Sequence, residues 1–77
     1  MLRFKTQIAD RLTGNVLEVG GPWKSSNQEA RRHIKDRDEE VFFLLQIAAE
    51  YSNELEAPQS AEEADRYTII SFQITGG

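Results

Sequence analysis

Val41-Phe42-Phe43-Leu44-Leu45-Gln46-Ile47 can be read in two ways, and the fold turns on the choice. Read as a strand, the stretch is rich in the β-branched and aromatic side chains that suit a buried position in a sheet. Read as helix, it continues an apolar stripe that starts well upstream. At 100° per residue, Ala30, Ile34, Val41, Leu44, Leu45, Ala48 and Leu55 fall within a band roughly 100° wide. No glycine or proline interrupts residues 27 to 57. One helix over residues 26–56 would run about 45 Å at the standard rise. That helix would put Arg37 inside its apolar stripe and send Phe42, Phe43 and Ile47 into water. A break at Asp36-Arg37-Asp38 is therefore preferred, with Val41 to Ile47 as a buried middle strand. Asp-Arg-Asp is a weak breaker without glycine, so the long helix stays open as the alternative.

The flanks are plainer. Leu2, Phe4, Thr6 and Ile8 alternate with Arg3, Lys5 and Gln7, the period of a half-buried strand. Thr13-Gly14-Asn15 offers the positive φ of a hairpin return, Val16-Leu17-Glu18-Val19 resumes the extended pattern, and Gly20-Gly21-Pro22 stops it. Trp23 follows and is expected to cap the core. Ser26-Asn27-Gln28-Glu29 has the spacing of a capping box and predicts a helix start; Ser60-Ala61-Glu62-Glu63 repeats it before the final strand. In that strand, Thr68, Ile70, Phe72 and Ile74 would form one face, and Tyr67, Ile69, Ser71 and Gln73 the other. The prediction is a small α+β domain of hairpin, helix, middle strand and C-terminal strand. The alternative is a ββαβ chain with one long helix.

Seventy-seven residues make one domain, placed at residues 1–75, with Gly76-Gly77 as a flexible tail. No cysteine is present, which removes disulfides and thiolate zinc sites. A net charge of -4 and a pI near 4.9 argue against nucleic-acid binding through phosphate contacts. Charge is nonetheless clustered: Arg31, Arg32, Lys35 and Arg37 surround His33, while acids gather at residues 36–40 and 50–65. Such polarity suits a protein partner. The N-terminus lacks an apolar signal core, and Val41 to Ala49 is too short to span a bilayer, so a cytoplasmic location away from membranes is expected.

No catalytic set can be assembled. His33 stands among cations, and the adjacent pairs Glu39/Glu40 and Glu62/Glu63 would point apart on a helix. Gly20-Gly21-Pro22 lacks the spacing and the lysine of a phosphate loop. The expectation is no enzyme, no metal and no cofactor.

Gly76-Gly77 suits one particular chemistry. A terminal carboxylate that is to be activated must be threaded into a narrow channel, and only residues without Cβ allow that approach from both sides. With Leu2-Arg3-Phe4 through Thr13-Gly14 and Leu17-Glu18-Val19 as first hairpin, and Asp65 through Ile74-Thr75-Gly76-Gly77 as last strand and tail, the chain resembles the ubiquitin-like β-grasp family. It is similar in layout to sulfur carriers and prokaryotic ubiquitin-like modifiers. The resemblance implies a non-enzymatic modifier or carrier whose Gly77 carboxylate is adenylated by an activating enzyme, with Gly76 as the slender approach. It makes Phe42, Phe43, Tyr67, Ile69 and Ser71 candidate docking residues for that enzyme. The alternative function is a small acidic protein-interaction module, a dimeric regulator or inhibitor of a partner protein, with no covalent chemistry and an exposed Phe42/Phe43 pair as its contact.

Overall fold

Arg3–Asp10 (β1) and Val16–Pro22 (β2) form the expected hairpin in the computed structural model, which describes residues 1–76; β2 does not stop at Gly20-Gly21-Pro22 but pairs through them, which an edge strand tolerates. Gly14 makes the return at φ 79°, with its N–H donating to the Asp10 carbonyl at 2.8 Å. The order then runs Ser25–Arg32 (α1), Arg37–Ala49 (α2), Ala61–Ala64 (α3) and Tyr67–Thr75 (β3). The three strands make one antiparallel sheet in the order β2-β1-β3. The α+β class is as expected.

The middle strand is not. Val41 to Ile47 lies inside α2. The reason is local: the Asp36 side chain accepts the Asp38 N–H at 2.7 Å, and Asp38, Glu39 and Glu40 fill the first turn. A side-chain cap and acids at the positive end of the helix dipole both favour starting a helix there. Leu44, Leu45, Ile47 and Ala48 then form its buried face. The single helix over 26–56 is also absent, because the chain leaves helical geometry between Arg32 and Arg37 and again after Ala49. Asp36 is extended at φ -94°, ψ 132°. The elbow is tight enough for Arg31 Nε to reach Glu40 Oε2 at 3.4 Å. In a continuous helix, nine residues would separate those positions by about 13 Å along the axis.

Two capping expectations divide. Ser60 Oγ accepts the Glu63 N–H at 3.2 Å and starts α3. Ser26 does not start α1. That helix is capped two residues earlier by Lys24, which makes no side-chain cap bond; its carbonyl accepts the Asn27 and Gln28 N–H groups. Trp23 is buried as expected, its Nε1 donating to Gln28 Oε1 at 2.8 Å and its ring set edge-on to Phe4 and Phe72.

One face of the sheet carries the core. Phe4, Thr6, Ile8 and Asp10 of β1 and Leu17 and Val19 of β2 are buried against Leu44, Leu45, Ile47 and Ala48 of α2. The other face stays polar, with Lys5 reaching Glu18 at 3.2 Å beside Gln7, Ser71 and Gln73. Asp10 is the one charged residue of this core, 3% exposed. Arg66 Nε and Nη2 donate to its two oxygens at 3.0 and 2.9 Å, and the Leu12 N–H adds a third bond. The Arg66 guanidinium, at the same time 3.5 Å from Glu56, thus closes the bottom of β1 onto the start of β3. These bonds hold the Asp10 carboxyl at about 2, below its ordinary 3.8. A carboxyl depressed by folding stabilises the fold fully above its unfolded pKa and loses that contribution as pH falls through the folded one. Urea midpoints should therefore drop as pH falls from about 4 to about 2. Asp10→Asn should show a shallower drop across that window and a lower midpoint at neutral pH.

Candidate protein-binding edge

The ladder between β1 and β3 slips at Gln7/Ile8: Gln7 faces Ser71, Ile8 faces Ile69, and Ile70 has no partner on β1. An extra residue of this kind switches the alternation of a strand. Before the slip Tyr67 and Ile69 lie on the core face, opposite Asp10 and Ile8; after it Phe72 and Ile74 do, opposite Thr6 and Phe4. Thr6 Oγ1 donates to the Ser71 carbonyl at 2.6 Å, satisfying a buried hydroxyl at the irregularity. Ile70 is left 54% exposed.

The slip scatters the residues that were expected to dock a partner. Tyr67 is buried, and its hydroxyl accepts the Glu56 N–H at 3.0 Å. Ile69 packs against the core, while Ser71 stands on the polar face. Ile69 and Ser71 still meet at one groove beside β3, whereas Tyr67 does not reach it. Phe42 and Phe43 are not an exposed pair either; both are half-buried against the core from α2. Gly76 has φ 111°, and a Cβ there would come within 2.5 Å of the Met1 carbonyl oxygen. Backbone conformation and a close backbone neighbour thus require glycine at this position, whatever its chemistry. Gly77, the residue expected to be activated, lies outside the described residues.

What the structure does bring together is an open sheet edge and a basic elbow. Both β2 and β3 are edge strands, but they differ. β2 carries the charge of Glu18, the glycines Gly20 and Gly21, and Pro22 at its end. Charge and proline are features by which edges resist pairing with other chains; the two glycines make room for the Phe4 carbonyl and the Tyr51 ring. Over its nine residues β3 contains no charged residue, proline or glycine. Its one guard is the bulge at Ile70, which leaves Ser71 to Thr75 as a regular, unguarded run.

Beside β3 runs a groove of about 250 Å³, between the strand and the α1–α2 elbow. Val41, Leu44, Ile69 and Phe72 give it apolar walls, and Arg31, Arg37 and Glu40 stand along it. Arg31 is held in place: its guanidinium lies 5.3 Å from the Phe72 ring centre and 6.0 Å from that of Trp23, within cation–π range. Arg37 is freer, 78% exposed and 4.0 Å from the same Glu40 carboxylate. The charge around the elbow is uneven in sequence. Residues 24–37 hold Lys24, Arg31, Arg32, Lys35 and Arg37 against Glu29 and Asp36, whereas residues 38–65 hold nine acids and no lysine or arginine.

Ile70, Arg31 and Arg37 were not singled out from the sequence as a site. The available signal was the uncharged run Tyr67 to Thr75, read against the guarded Val16 to Pro22. Among the described residues no group of His, Cys, Asp and Glu is placed to hold a metal ion, and no helix is long and apolar enough to cross a membrane. No family model, curated protein or solved structure matches the chain.

Proposed function

We propose that the chain is a non-enzymatic protein-interaction module that receives an extended segment of its partner at the outer edge of β3. The observation that carries this reading is the contrast between the two edges of one sheet. β2 is guarded by a charge and a proline, whereas β3 carries neither over Ser71 to Thr75, beyond its bulge. Strand addition draws affinity from main-chain hydrogen bonds along such an edge and specificity from alternate side-chain positions. The groove beside β3 supplies apolar walls for one face of the incoming strand. The carrier reading has less to stand on. It rests on Gly77, which is not described, on a middle strand that is helix, and on Gly76, whose lack of a side chain has a packing reason.

Site-specific photo-crosslinking tests the proposal. A photoreactive residue at Ile70 is compared with one at Glu18, on the opposite edge and 57% exposed in its side chain. Adducts with a protein should form from position 70 and not from position 18. Equal labelling from both positions, or labelling from position 18 alone, overturns the reading.

A further inference from the structure

We infer that the segment received at this edge is acidic, with a carboxylate side chain two residues from an apolar one on the same face of the added strand. The inference rests on the edge reading above and names its occupant. A strand laid along β3 would turn alternate side chains toward the core face, where Val41, Leu44 and Phe72 wall the groove. The next side chain on that face lies about 6.7 Å further along, a short step toward the rim formed by the elbow. There two guanidiniums, Arg31 and Arg37, share the single carboxylate of Glu40. Arg31 is already oriented by the Phe72 and Trp23 rings, so little ordering remains for it on binding. An anionic side chain completes this set, and a cationic one is repelled by it.

A second copy of the chain fits the same edge poorly. The slip at Ile70 leaves only Ser71 to Thr75 in one uninterrupted alternation. Pairing that run with its twin about a two-fold axis at Gln73 would bring the same end of both molecules together. Arg31, over Phe72, would then stand beside its copy on the same face. Like charges brought together across an edge oppose association.

The probe is a capped nine-residue peptide of alternating threonines whose other positions read glutamate, valine, valine, glutamate, so that valines and glutamates share one face. Its control carries lysine in place of glutamate. Amide shifts of the intact, isotope-labelled chain report binding and location together. The glutamate peptide should shift Ile69 to Thr75 and bind about tenfold or more tightly than the lysine peptide, with the gap narrowing as salt is raised. Arg37→Gln should shrink the preference and Arg37→Glu should reverse it; Arg37 is exposed, so both variants should keep the wild-type circular dichroism. Equal binding of the two peptides overturns the inference while leaving the open edge in place. No shift along β3 from either peptide overturns both. Concentration-dependent self-association of the free chain that shifts the same amides assigns the edge to a second copy and also overturns the inference.

Discussion

Leu45→Ala should leave the chain largely unfolded at 37 °C. Leu45 is 0% exposed, on the face of α2 that covers the sheet beside Ile8 and Phe4. Truncating a fully buried leucine removes its transfer free energy and leaves a cavity, at a cost of about 2–5 kcal/mol. A domain of 77 residues has little to set against that. Small single cores rarely supply more than about 3–5 kcal/mol in total, and no disulfide is present to add to it. Urea unfolding followed by circular dichroism measures the loss, and a midpoint close to wild type would mean that α2 does not sit on the sheet as described. Leu45→Met, which keeps volume, should cost less than about 1.5 kcal/mol.

Ile70→Glu should do the opposite: keep the fold and weaken binding. Ile70 has no partner on β1 and is 54% exposed, so a change there should move stability by no more than about 0.5 kcal/mol. The glutamate places on β3 the kind of charged guard that β2 already has in Glu18. It also sets a like charge against an acidic incoming strand on an edge that carries no charge of its own. Affinity for the partner recovered through position 70 should fall at least about tenfold, or about 1.4 kcal/mol. Calorimetry on the purified pair reads the change. Undiminished affinity with intact fold would separate the binding surface from β3.

Much of the fold was legible in the residues. The alternation of Phe4 to Ile8, the Thr13-Gly14-Asn15 return and the Ser60 cap each fixed a local structure that tertiary contacts had no reason to override, while Leu2, ahead of β1, stays exposed. Val41 to Ile47 has the side chains of a strand, but the cap ahead of it prevails over that propensity. Asp36 followed by Glu39 has the capping-box spacing immediately before an apolar run, and it marks a helix start as surely as Ser60 does. Phe42 and Phe43 then needed no strand to leave water, since a helix lying on a sheet beside α3 is shielded over more than one narrow stripe.

The candidate site was less legible, for a physical reason. The slip at Ile70 has no glycine to announce it, and it is set by how β3 registers on β1, a partner more than sixty residues away. A one-residue change of phase exchanges the two faces of everything beyond it. Tyr67, Ile69 and Ser71 would be one face in a regular strand; here Ser71 is turned to the opposite face and meets Ile69 only along the groove. Arg31 and Arg37 meet at one carboxylate only because the elbow folds α1 back toward α2, and that geometry follows from the break and not from their spacing.

Amide hydrogen exchange of β3, measured in the free chain and in the complex with the crosslinked partner, tests the central claim most directly. Outward-facing amides between Ser71 and Thr75 should exchange fast in the free chain and slow sharply in the complex, while those of β2 remain unchanged. Unchanged exchange along β3 on binding, or protection confined to β2, would contradict the assignment of β3 as the recognition edge.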